Sequence, residues 1–224
     1  MTLEFVEYPD REMLALSLAN QMAGQLAQHL RVNERASLCV PGGTSPAPIF
    51  DTLSGSDLDW ARVTVFLNDE RWVDSEHMRS NTRLLRRHLL RDRAEVARYI
   101  DLFTGDPDPA TAAPLLSPAI EDELPITVLL LGMGNDMHTA SLFPGLSDTI
   151  SALSPDAPAV VPIRGGGEEP RISLSARALK NAINVHLLIT GPEKREALER
   201  AQTLDPIEAP IRALLGDITV HWAA

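Results

Sequence analysis

The chain has 224 residues, 44% hydrophobic and 23% charged, enough for one large domain or two small ones with a substantial core. A formal net charge of −11 without any basic block argues against a nucleic-acid or anionic-membrane surface. No apolar run has the length of a membrane span, the acidic start (Glu4, Glu7, Asp10, Glu12) lacks a secretory pattern, and a lone cysteine, Cys39, fits a reducing cytoplasm.

Residues 10–32 carry Met13, Leu14, Leu16, Leu18, Met22, Leu26 and Leu30 among polar positions, an amphipathic helix with Asp10 as N-cap. Ala36–Val40 reads as a short buried strand running into Pro41-Gly42-Gly43-Thr44-Ser45-Pro46, then a short helix to about Leu53. Val63–Leu67 is a second strand, ending at Asn68-Asp69-Glu70-Arg71. Ser80 caps a helix to about Asp92, 96–103 reads as a strand, and 108–122 as a helix with Pro109 in its first turn. The run 126–131 has no polar alternation, the mark of a strand buried on both faces. After Gly145 the reading is less defined until strands at 159–163, Arg171–Leu174, 184–190 and 218–222. Between them lie the flexible Gly165-Gly166-Gly167, a helix at 176–181, a helix from about Glu193 and a helical turn at 211–215. The alternation predicts an α/β fold, a mostly parallel, Rossmann-like open sheet with helices on both faces. No repeat or linker divides residues 1–224, so a single domain is expected.

Four segments could carry chemistry. Glycines at the start of a helix let backbone N–H groups approach an anion, so Gly42, Gly43, Thr44 and Ser45 suit a phosphate; the same loop also makes an ordinary strand-to-helix turn. Asp69-Glu70-Arg71 stands at a strand end, where a solvated charged turn is the bland alternative. Gly132-Met133-Gly134 begins like a dinucleotide fingerprint, but Met137 occupies the third glycine position and no acidic residue follows at the required place. His138, in a polar loop beyond a buried strand, is a candidate general base, with Asp136 placed to orient it. These two are too few for a metal, and neither a Gly-x-Ser-x-Gly elbow nor an exposed cysteine supports covalent catalysis. The chain holds 18 Arg but only Lys180 and Lys194 as lysines. Lys194 falls in the first turn of a helix, against the dipole, which hints at an anionic ligand. Arg171 opens a strand after the glycine-rich loop and is a further candidate, with a surface ion pair as its alternative.

In order along the chain, these pieces resemble the glucosamine-6-phosphate isomerase/6-phosphogluconolactonase family. They are PGGTSP at 41–46, NDER at 68–71 with Ser80-Asn81, LGMGNDMHTASLFPG at 131–145, RISL at 171–174 and GPEK at 191–194. The third piece is the most specific. The family's isomerases carry Asp-Glu-Tyr where this chain has Asp69-Glu70-Arg71, and Ala-Phe-Asn after the histidine where it has Ala140-Ser141-Leu142, so the resemblance falls on the lactonase side. It implies hydrolysis of 6-phospho-D-glucono-1,5-lactone to 6-phosphogluconate, in the oxidative pentose phosphate pathway, with no metal and no cofactor. Its partner is then a small sugar-phosphate lactone, and a monomer or small homo-oligomer is expected. The resemblance gives loop 42–45, Arg171 and Lys194 to the phosphate and His138 to water activation, with Asp136 and Asp69 in the site. Arg71 is left either to a developing oxyanion or to sugar hydroxyls. A silent sugar-phosphate sensor with this fold would carry a basic DNA-binding segment, and none is seen here. Two departures stand out. The family usually has glycine at Met137, so a positive φ there would strain this chain, and it is often proline-rich where 165–170 reads Gly-Gly-Gly-Glu-Glu-Pro, a lid or a passive linker.

Overall fold

A computed structural model describes residues 3–224. Its first half contains β1 (Leu3–Glu7), α1 (Arg11–Leu30), β2 (Ala36–Val40), α2 (Ala47–Ser54), β3 (Val63–Leu67), β4 (Asp69–Arg71), α3 (Asn81–His88) and β5 (Arg98–Ile100). The second contains α4 (Pro109–Glu121), β6 (Ile126–Gly132), α5 (Ser147–Ala152), β7 (Val160–Ile163), β8 (Arg171–Leu174), α6 (Ala176–Lys180), β9 (Ala182–Thr190), α7 (Pro192–Ala201) and β10 (Ile218–Ala223).

Seven strands form one sheet in the order β1-β10-β9-β6-β2-β3-β5, every neighbouring pair parallel. The central strands earn that place by composition. Every residue of β2 and β3, and all of β6 up to its terminal Gly132, is buried, so their apolar runs meet packing on both faces. Helix α1 starts where Asp10 accepts the Met13 N–H at 2.8 Å, and it lays Leu14, Leu18, Met22 and Leu26 against the sheet. No helix among the described residues is long and apolar enough to cross a membrane.

Three readings change. The acidic start Leu3–Glu7 is an edge strand, parallel to β10 at the far end of the chain. The strand expected over 96–103 shrinks to Arg98–Ile100, its start taken by the 3₁₀ turn Asp92–Val96. Asp69-Glu70-Arg71 is not a solvated turn: β4 pairs antiparallel with β8, which pairs antiparallel with β7, in a second three-stranded sheet. That small sheet folds over the carboxyl ends of β2, β3, β6 and β9. It leaves a cleft where the strand order changes direction, the usual place for a ligand in such folds.

Candidate active site

Each wall of the cleft comes from the segment that follows a parallel strand, or from the small sheet. Pro41, Gly42, Gly43 and Ser45 follow β2; Asn68 follows β3; Met133, Gly134 and His138 follow β6; Lys194 follows β9; and Asp69, Arg71 and Arg171 come from β4 and β8. The space is about 230 Å³, below the roughly 300–1,000 Å³ typical of drug-sized ligands, so it suits one small polar molecule. Of the residues expected from sequence, all but two line it. Thr44 is exposed and outside the lining, and Asp136 stands behind His138.

His138 Nδ1 lies 2.5 Å from Asp136 Oδ1, and the same oxygen accepts the His138 backbone N–H at 3.3 Å. These bonds hold the Asp136 carboxyl below the usual carboxylate range. With Nδ1–H given to Asp136, Nε2 is the nitrogen left for chemistry. The approach is possible because residue 134 is glycine: a Cβ there would sit 2.3 Å from the imidazole and 2.5 Å from Asp136 Oδ1. Met137 has φ +67 and Ala140 φ +49, so the histidine loop has left-handed residues on either side of His138. The strain expected at Met137 is real, at about 1–2 kcal/mol for such a residue. Two hydrogen bonds fix that conformation, Met137 N–H to Gly134 O at 2.9 Å and Ile211 N–H to Met137 O at 3.2 Å.

The opposite wall is cationic. Arg71 and Arg171 are directly opposite partners in the antiparallel ladder, an arrangement of like charges that costs stability unless something anionic lies between or above them. The Nε atoms of both are buried without a hydrogen-bond partner. Their neighbours restrain them without neutralising both: Arg71 Nη1 donates to Arg79 O at 2.6 Å, and Arg171 Nη1 lies 3.7 Å from Asp69 Oδ2. Burial pushes the Arg171 pKa down, against the pull of Asp69, and Arg71 pushes it further. Asp69 is itself committed, accepting the Ser141 hydroxyl at 2.5 Å. Lys194 sits in the first turn of α7, half buried, and burial lowers its pKa too. Gly43, at φ +83, turns the loop before α2, and no protein acceptor among the described residues faces the N–H groups of Gly42, Gly43, Thr44 and Ser45. Three side-chain cations and a run of free backbone donors in a chain of net charge −11 make an anion site.

Phe143 joins the two walls. Its ring lies 4.6 Å from that of His138, and Arg171 stacks on it at 5.1 Å. The glycine-rich loop rests on the same ring: a Cβ at Gly166 would fall 2.2 Å from it. Arg79 ties this loop down through Glu168 and Glu169, and Trp72 N–H donates to Pro170 O at 2.8 Å. Sequence reasoning did not single out Asn68, Asn81 or Gly134 as part of the wall. No group of three or more His, Cys, Asp or Glu among the described residues is placed to hold a metal ion.

An α/β sheet with a cationic cleft facing an Asp-supported histidine defines the class, an enzyme-like site for a small anionic ligand. Residues 9–222 match the family described as glucosamine-6-phosphate isomerases/6-phosphogluconolactonase, and the chain belongs to it. A 6-phosphogluconolactonase of Rhizobium meliloti is 38% identical over 218 residues, 94% of each chain. One of Pseudomonas aeruginosa is 40% identical over 221 residues, 93% of this chain and 90% of that one. A crystal structure of a 6-phosphogluconolactonase from Shewanella baltica has a TM-score of 0.96 at 33% identity, covering 100% of this chain and 98% of the other.

Proposed function

We propose that the cleft hydrolyses 6-phospho-D-glucono-1,5-lactone by attack of a water that His138 activates, without a covalent intermediate. The activity is that of a 6-phosphogluconolactonase, a carboxylic ester hydrolase. The observation that carries the mechanism is the pairing of a histidine whose Nδ1 is committed to Asp136 with three cations in the same cleft. A δ-lactone is an activated ester, so a positioned water, a base and charge stabilisation suffice. Nε2 takes a proton from water as its oxygen attacks C1. The carbonyl oxygen gains the charge, and the C1–ring oxygen bond then breaks with return of the proton from Nε2 to the ring oxygen. Asp136 holds the neutral tautomer and balances the transient imidazolium. Lys194, Arg171 and the N–H groups of loop 42–45 hold the phosphate, fixing C1 near His138. Arg71, paired with Arg171 across the ladder, adds positive charge beside the reacting centre.

The test generates the lactone in situ and follows 6-phosphogluconate through its dehydrogenase; no acceleration over spontaneous hydrolysis would sink the reading. Lys194→Ala is expected to raise KM by roughly 10–100-fold with kcat little changed, the size of one lost charge-assisted bond used equally in ground and transition states. An unchanged KM would remove Lys194 from the phosphate.

A further inference from the structure

Glu70 is fully buried on β4, between the two residues of that strand, Asp69 and Arg71, that reach the cleft. Strand side chains alternate, so its carboxylate points away from the cleft and into the start of α3. There Oε1 accepts the N–H groups of Arg71 at 2.7 Å and Asn81 at 2.8 Å. Oε2 accepts the N–H of Thr82 at 2.7 Å and the hydroxyl of Ser80 at 3.0 Å. Three of these four partners can only donate, which suits an ionised carboxylate. Two of them are the first N–H groups of α3, where the helix dipole favours negative charge. Burial raises the Glu70 pKa, and the bonds from Asn81, Thr82 and Arg71 oppose that rise. Glu70 therefore caps α3 from outside the helix and fixes where Asn81 begins it.

Asn81 returns to the cleft. Its Nδ2 donates to Asp69 O at 3.0 Å, closing a ring back to β4. Its carboxamide lies flat on Gly42, where a Cβ would come within 2.0 Å of Cγ and Oδ1. The side chain lines the cleft, and its one side-chain hydrogen bond among the described residues is the one from Nδ2. That bond uses one Nδ2 hydrogen and fixes the carboxamide, and its oxygen is left as an open acceptor for a ligand. The cations and backbone donors answer an anion, but an acceptor beside them answers a hydroxyl.

We propose that Asn81 Oδ1 accepts a hydrogen bond from one ring hydroxyl of the lactone, as a specificity-determining residue, and that Glu70 is the positioning residue that holds it there. The proposal rests on the lactonase reading above. It is tested by kcat/KM for wild type, Asn81→Ala and Glu70→Gln on the parent lactone and its 2-, 3- and 4-deoxy counterparts, generated in situ from the corresponding aldose 6-phosphates. Wild type is expected to process one deoxy lactone about tenfold less well than the parent, the size of one hydrogen bond. Asn81→Ala should lose about tenfold on the parent and nothing further on that one analogue, while still losing on the others. Glu70→Gln should show the same loss of discrimination at the same hydroxyl. Equal losses by Asn81→Ala on all four lactones would make it a merely structural residue and overturn the proposal. Wild-type discrimination in Glu70→Gln would remove Glu70 from it. If that variant does not fold, Glu70→Asp, which keeps the charge and shortens the reach, is measured in the same way. A wild-type enzyme that accelerates no lactone refutes the lactonase reading itself, and this inference with it.

Discussion

Replacing His138 with alanine is expected to lower kcat on the lactone by roughly 10²–10⁴-fold, the usual contribution of a general base, with little change in KM or thermal unfolding. The separation follows from the geometry. The ring's one side-chain hydrogen bond is to Asp136, itself exposed, so removing it opens no buried polar gap. The groups proposed to hold the phosphate lie on β8, on α7 and in loop 42–45, and none of them takes a hydrogen bond from the His138 side chain. KM is therefore set elsewhere. Retention of more than about a tenth of wild-type kcat would refute the base assignment. Asp136→Asn is the companion measurement. An amide can still accept from Nδ1–H but carries no charge to balance an imidazolium, so kcat should fall by less than in His138→Ala. Equal losses in the two variants would mean that the histidine is of no use without the carboxylate's charge, and a near wild-type kcat in Asp136→Asn would mean that the carboxylate only places the ring.

The histidine loop was legible from sequence because its parts are close along the chain. An apolar run, a glycine stop and Asp136 two residues before His138 need no knowledge of distant pairing. The same holds for loop 42–45 and for Lys194, each read off the start of a helix. What sequence could not supply was the pairing between distant strands. Nothing near Arg71 announces that Arg171 lies opposite it, yet that juxtaposition is the strongest sign of an anion. Glu70 received no role of its own from sequence, because the four donors that justify its burial come partly from residues 80–82. Edge strand β1 was missed for a related reason. Glu4, Phe5 and Glu7 are exposed, and only the parallel partner β10 makes the segment a strand.

Met137 sharpens the point. Sequence could say that a residue other than glycine stands where the family usually has one, and backbone geometry shows the consequence, φ +67. The loop accepts this because Gly134 and Ile211 hold both of its backbone groups, and the side chain packs against the core. The strain is localised next to the proposed base, where stored strain commonly sits.

Unfolding free energy should fall by about 3 kcal/mol between pH 7.5 and 5.5, beyond any contribution from carboxylates. The cause is a buried polar chain away from the cleft. Tyr8 hydroxyl lies 2.9 Å from His221 Nδ1, His221 Nε2 lies 3.0 Å from His186 Nδ1, and His186 Nε2 lies 2.8 Å from Gln25 Oε1. The carboxamide oxygen of Gln25 sets the direction: His186 donates from Nε2, so its Nδ1 accepts from His221, whose Nδ1 accepts from Tyr8. Every link is satisfied when both imidazoles are neutral; a proton on His186 Nδ1 would set donor against donor, and one on His221 Nδ1 would force the Tyr8 hydroxyl to turn from donor to acceptor. Burial accordingly pushes His186 down to about 4, and burial with the neighbouring His186 pushes His221 down to about 3. In the unfolded chain both bind protons near pH 6.5. The native state refuses them, so stability is fully present above that pH and is lost as pH falls from 6.5 toward 4. Each site contributes about 1.4 kcal/mol per pH unit in that range. Urea unfolding at several pH values measures the slope, and a double variant, His186→Leu with His221→Phe, should lose about two protons' worth of it even if its stability at pH 7.5 is lower. A variant with the wild-type slope would show that these histidines do not govern acid unfolding.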